Sequence, residues 1–124
     1  MLVIRDSQLR ILAESSFEHW LVKHVQRFFP DFAQKFKNCE LLAWASENRA
    51  RATRYFRTES GISFYIDLAC LLGEHFPEDP RLPWAREILS NPGIDEAQRR
   101  RMLYTKTRAH LSGPIPQGRI RRSG

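Results

Sequence analysis

The sequence has few of the features that mark an exported, membrane-spanning or metal-binding protein. It contains two cysteines, Cys39 and Cys70, and no CxxC pair. This excludes a dense disulfide framework and a clustered zinc site, and the apolar neighbours of both residues predict reduced, buried thiols. No run approaches the roughly 20 apolar residues that cross a bilayer. The opening residues meet charges at Arg5 and Asp6, unlike a signal peptide, so a cytoplasmic location is expected.

Catalytic motifs are also missing. The sequence has no GxSxG nucleophile elbow, no glycine-rich phosphate loop and no HExxH zinc motif. A local group of potential ligands, His75 with Glu74, Glu78 and Asp79, is more typical of helix caps and solvated charge than of a metal site. The sequence therefore predicts a protein that is not an enzyme and holds no cofactor and no metal.

Amphipathic helical segments make up most of the remaining sequence. Hydrophobic residues are 42% of the chain, and no alternating run requires a sheet. The first helix is predicted from Asp6 or Ser7 to Phe28 or Phe29, where Pro30 stops it. Its apolar positions recur at intervals of three and four, so this face must pack on something. They are Ala13, Phe17, Trp20, Leu21, His24 and Phe28, with Leu9 and Leu12 alongside.

Later helices are separated by proline and glycine. After a short turn or helix that begins at Pro30, helices are predicted over about 39–57, 62–76, 83–89 and 95–111. The segment 62–76 is almost continuously apolar and is the predicted centre of the core. We therefore predict an all-α fold, a single irregular or orthogonal bundle of five or six helices over residues 1–111. Residues 112–124, rich in Pro and Gly, are predicted to form a flexible basic tail.

Positive charge gives one set of candidate binding residues. The formal net charge is +6, and half of this excess lies in the last thirteen residues. One arginine cluster comprises Arg49, Arg51, Arg54 and Arg57, of which the last three would share one edge of a helix and could line phosphates. Another comprises Arg99, Arg100 and Arg101, which are consecutive and would spread around a helix, with Lys106 and Arg108. Such runs are also typical of solvated faces and intramolecular salt bridges, and no recognition-helix signature accompanies them.

The loop that follows the apolar helix gives the second set. Residues 73–84 combine acidic and aromatic side chains around three prolines, and the candidates are Phe76, Glu78, Asp79 and Trp84. One interpretation is a rigid recognition loop; the other, which we favour, is that the aromatic residues plug the bundle while the acids cap the next helix. Asp67, within the apolar helix, is interpreted as a structural buried charge that pairs with an arginine of the second or last helix.

Several segments resemble a group of small helical proteins encoded in bacterial type VI secretion loci. The similarity is carried by Tyr65-Ile66-Asp67-Leu68, by Asp79-Pro80 leading to Leu82-Pro83-Trp84, and in style by the opening helix that ends in Phe-Phe-Pro. The resemblance implies an accessory role, in which the protein helps an effector or its adaptor chaperone to reach the secretion spike. It carries over no binding residue, because no motif of these proteins is tied to a contact.

Three functions follow as hypotheses. The first is a co-chaperone or adaptor that binds a partner protein, an effector or an adaptor chaperone of type VI secretion, without inserting into a membrane. The second is an immunity protein that neutralises a toxin. The third is a nucleic-acid-binding helical domain that uses the arginine clusters.

Overall fold

The computed structural model describes residues 6–37 and 40–112, with side chains from Ser16 onward. Over these ranges the chain forms six α-helices and no strand, which confirms the all-α prediction. The helices are α1 (Asp6–Phe28), α2 (Pro30–Ala33), α3 (Glu40–Ala52), α4 (Glu59–Leu72), α5 (Pro83–Ser90) and α6 (Glu96–Ser112), with a 3₁₀ turn at Phe76–Glu78. The predicted flexible tail beyond Ser112 lies outside the described residues.

The chain divides into two compact units, the first ending at Phe76 and the second beginning at Pro77. In the first, α1 packs against α2, α3 and α4, and α3 packs against α4. In the second, α5 packs against α6. A single domain over residues 1–111 stays a prediction. No helix in the described ranges combines the length and the apolar character needed to span a membrane.

The core of the first unit is built around α4, as its apolar sequence predicts. Tyr65 and Ile66 of this helix are at most 1% exposed, and Leu21 and Val25 of α1 are fully buried. Thr58 caps the start of α4, where its hydroxyl oxygen accepts a 2.9 Å hydrogen bond from the Gly61 amide.

Two helix ends differ from the prediction. Helix α3 stops at Ala52 rather than Arg57, and the Thr53 hydroxyl donates to the Ala50 carbonyl at 2.6 Å in the turn that follows. The turn carries Phe56, 1% exposed, into the core, so tertiary burial ends the helix without a Gly or Pro signal. Helix α4 stops at Leu72 rather than Phe76, because Gly73 adopts a φ of 105° that other residues rarely reach.

In the second unit, α6 begins with a reciprocal cap. The Asp95 carboxylate accepts a 2.8 Å hydrogen bond from the Gln98 amide, and the Gln98 side chain accepts one of 3.2 Å from the Asp95 amide. This cap places the start of α6 where the sequence predicts a helix to begin, at about residue 95. Pro83 occupies the first turn of α5, where its missing N–H has no helical partner to lose.

Candidate functional site

Three aromatic side chains form a ladder along one edge of α1. We call Trp20, His24 and Phe28 the aromatic stripe; they are spaced by four residues, so each ring lies one helical turn from the next. The ring centroids of Trp20 and His24 are 5.0 Å apart and stacked, and those of His24 and Phe28 are 4.9 Å apart and tilted. Phe17, in the core, continues the ladder with its centroid 6.0 Å from that of Trp20.

The two ends of this stripe face solvent. Trp20 is 50% exposed and Phe28 is 58% exposed, whereas the neighbouring Leu21 and Val25 are fully buried. Trp20, Leu21 and Phe28 belong to one predicted apolar face, and the expectation that this whole face packs is wrong for Trp20 and Phe28. Large, half-exposed aromatic side chains are characteristic of the centres of protein interfaces.

His24 anchors the stripe to α4. Its Nε2 lies 2.7 Å from Oδ1 of Asp67, and both side chains are partly buried. The predicted arginine partner of Asp67 is therefore wrong, because among the described residues the carboxylate pairs with a histidine of the first helix. Burial raises the pKa of the Asp67 carboxyl, and the hydrogen bond and charge of His24 oppose that shift without cancelling it.

Helix α4 adds an apolar side chain and a thiol near this pair. Leu71, one turn after Asp67 on the same side of α4, is 45% exposed. Cys70 is a free, half-buried thiol, and burial together with the Asp67 charge raises its pKa to about 12. The thiol is therefore protonated at neutral pH. Cys70 was predicted to be buried and is half-buried. The other predicted buried thiol, Cys39, lies outside the described residues.

Cations flank the stripe on its solvent side. Lys23 and Arg27 are exposed and follow Trp20 by three and seven residues, which places them along the same side of α1. The Arg27 guanidinium lies 5.3 Å from the centroid of Phe28. The site therefore combines exposed aromatic surface with two positive charges.

The predicted arginine cluster is divided by the structure. The Arg49 guanidinium lies 3.5 Å from Glu18 and 5.5 Å from the Phe17 ring, and Arg51 binds Glu74 at 2.8 Å. These two residues form intramolecular pairs within the first unit.

The shared helical edge predicted for Arg51, Arg54 and Arg57 is wrong. Helix α3 ends at Ala52, so Arg54 and Arg57 lie beyond the helix that was predicted to carry all three. A role of these arginines in lining phosphates stays a prediction.

The loop candidates are separated in a similar way. Phe76 is 1% exposed, with its ring centroid 5.0 Å from that of Tyr65, so its assignment as a partner contact is wrong and the alternative, a core aromatic residue, is confirmed. Asp79 accepts hydrogen bonds from the Arg81 amide and guanidinium, at 2.9 Å each, and these lower the pKa of its carboxyl.

The other two loop candidates lie at the surface of the second unit. Glu78 is exposed, and Trp84 is half-buried with its ring centroid 6.3 Å from that of His110. A recognition role for either residue stays a prediction.

The sequence pattern did not identify the aromatic stripe as a site. The available signal was the four-residue spacing of Trp20, His24 and Phe28 beside Lys23 and Arg27.

Comparison with protein-family models, curated proteins and solved structures found no match to this chain.

Proposed function

We propose that this protein is a non-catalytic accessory protein that binds a partner protein through the aromatic stripe of α1. The observation that supports the proposal most strongly is the exposure of Trp20 and Phe28, 50% and 58%, within a ladder of rings in contact. A partner that covers exposed Trp and Phe side chains removes their apolar surface from water, and such residues dominate the binding energy of interfaces.

The stripe is ordered before any partner arrives. Trp20 stacks on His24, Phe28 packs against it at a tilt, and His24 contacts Asp67 at 2.7 Å. Rings that are already restrained lose little rotamer entropy on binding, so more of the contact energy contributes to affinity.

The partner segment that fits this surface is an acidic amphipathic helix. Its apolar side chains would cover Trp20 and Phe28, with Leu71 extending the apolar contact from α4. Its carboxylates would pair with Lys23 and Arg27, which lie beside the rings. This mode is a helix laid on an apolar surface with charge complementarity at the rim.

The resemblance to proteins of type VI secretion loci gives the class of partner. We propose that the acidic helix belongs to an effector or to its adaptor chaperone, and that binding assists loading onto the spike. This part of the proposal rests on the resemblance alone, whereas the binding surface rests on the geometry of α1 and α4.

The proposal is tested by calorimetric titration of the purified full chain with type VI effectors and adaptor chaperones from the same organism. Trp20→Ala combined with Phe28→Ala should weaken binding at least tenfold. The matched control is Met102→Ala combined with Leu111→Ala, which removes two exposed apolar side chains from α6 and should leave affinity within about twofold. Circular dichroism establishes that each variant is folded.

Equal loss of affinity in the two double variants would contradict the role of the stripe. Absence of binding to every effector and adaptor chaperone would contradict the secretion role and would leave the stripe to be tested with other acidic helices. Charge reversal at Lys23 and Arg27 should weaken binding more at low salt than at high salt, because salt screens exposed charges.

A further inference from the structure

Charge is unevenly distributed along this chain. Residues 97–124 contain eight Lys and Arg and no Asp or Glu, whereas residues 1–96 contain twelve Lys and Arg and fourteen Asp and Glu. The last 28 residues thus carry more positive charge than the net +6 of the whole protein. A concentration of one sign of charge in one segment is typical of chains that bind polyanions.

Helix α6 presents much of this charge on one side. Arg100, Arg101, Tyr104 and Arg108, which we call the basic face, fall within an arc of about 100° at the helical repeat of 3.6 residues. The two buried residues that the structure describes in α6, Leu103 and Thr107, lie outside that arc on its Arg100 side, so the edge with Arg101 and Arg108 faces solvent. Arg101 and Arg108 are exposed, and Arg100 is half-buried.

An exposed ring lies among these cations. Tyr104 is 53% exposed, and the Arg108 guanidinium lies 5.7 Å from its centroid. Two acids of the second unit have other roles, since Asp79 accepts hydrogen bonds from Arg81 and Asp95 caps α6. The basic face therefore combines three arginines with one accessible aromatic ring.

We propose that the basic face of α6 binds single-stranded nucleic acid. Guanidinium groups donate two hydrogen bonds at once to a phosphate, and cations spaced along one helix edge can follow a phosphate backbone. An exposed tyrosine among them offers a surface on which a base stacks, which is the usual combination in single-strand binding. This activity is independent of the protein-binding stripe, which lies in the first unit.

A membrane surface fits this helix less well. Interfacial helices gather their apolar side chains on one face. Here Met102 lies about 160° around the helix from Tyr104 at 100° per residue, so the exposed apolar side chains are split between two sides.

The test is fluorescence polarisation of the full chain with a labelled 20-nucleotide single strand, as oligo(dT) and oligo(U), and with a 20-base-pair duplex. Binding should be tightest to a single strand and should weaken steeply with salt. Arg101→Gln combined with Arg108→Gln should raise Kd at least tenfold. It should also lower the slope of log Kd against log salt concentration by about 1.4, because each single-strand phosphate contact contributes about 0.7. Tyr104→Ala should weaken single-strand binding more than duplex binding.

The matched control is Arg54→Gln combined with Arg86→Gln, which removes the same charge from exposed positions outside α6. It should raise Kd less than threefold. Equal increases in Kd for the two double variants would overturn the proposal, because the change in net charge alone would then explain the weaker binding. Failure of the wild type to bind any strand in 100 mM salt, or equal displacement by polyglutamate, would overturn it too. Circular dichroism of each variant separates lost binding from lost folding.

Discussion

His24 Nε2 and Asp67 Oδ1 lie 2.7 Å apart and join α1 to α4 across 43 residues of sequence. The same imidazole lies between the rings of Trp20 and Phe28, so one histidine links the partly buried carboxylate to the exposed rings. A pair with this geometry fixes how α1 is rotated against α4, and with it the direction in which the aromatic stripe faces.

The Asp67 carboxyl gives the stability of the fold a definite pH dependence. Its pKa in the folded protein is raised above the ordinary value of 3.8, chiefly by burial. The folded state therefore binds the proton more tightly than the unfolded state. This contribution to stability is complete below about pH 3.8 and is lost as the pH rises through the raised pKa.

Asp67→Asn isolates this effect, because it keeps an acceptor oxygen and does not titrate. Urea unfolding of both proteins is measured from about pH 3.5 to 5.5. The free energy of unfolding of the wild type, relative to that of the variant, should fall as the pH rises. If the free energy of unfolding of the wild type, relative to that of the variant, rises with pH, the pKa of Asp67 is lowered in the folded protein instead.

The neighbours Leu21 and Trp20 should differ in their effect on stability. Leu21 is fully buried, so Leu21→Ala should cost about 2–5 kcal/mol through lost contacts and a cavity. Trp20→Ala removes a larger side chain but one that is 50% exposed, so its cost should be smaller than that of Leu21→Ala. Urea unfolding measures the loss in free energy of unfolding for each of the two variants. An equal or larger loss for Trp20→Ala would place the indole in the core and remove it from the surface.

The Thr58 cap should contribute measurably to α4. Thr58→Ala leaves the Gly61 amide without its 2.9 Å acceptor and should cost about 1 kcal/mol. Thr58→Ser keeps a hydroxyl at this position and should retain most of the stability. If serine loses as much as alanine in thermal or urea unfolding, the hydroxyl does not act as a cap.

The Cys70 thiol should react slowly in the folded protein. Its pKa of about 12, against an ordinary 9.0, leaves little of the nucleophilic thiolate at neutral pH. In a Cys39→Ser background, alkylation by iodoacetamide at pH 7.5 should be at least about a hundredfold slower when folded than in urea. Equal rates would contradict the burial of this thiol.

Much of the fold was predictable from local signals. Pro30, Pro83 and Asp95 mark helix ends or starts, and the apolar run of α4 marks the core. The end of α3 was not predictable from local signals, because the residues after Ala52 are acceptable in a helix. Only the burial of Phe56 and the cap at Thr58 explain why the chain leaves it there.

The candidate site was less predictable than the fold. Periodicity places Trp20, Leu21 and Phe28 on one apolar face but does not say how far the neighbouring helices cover it. The partner of Asp67 was also beyond the pattern, since the choice between histidine and arginine depends on how α1 and α4 pack. Both facts are properties of helix packing rather than of any one segment.

We propose that the aromatic stripe binds an acidic amphipathic helix, and the measurement to make is selection from a displayed library of helical peptides. Selection is on the folded full chain, with counter-selection on Trp20→Ala combined with Phe28→Ala. We expect enriched peptides with apolar residues three and four apart beside Asp or Glu, which bind the wild type at least tenfold more tightly than the double variant. Peptides without this pattern, or equal affinity for the two proteins, would contradict it.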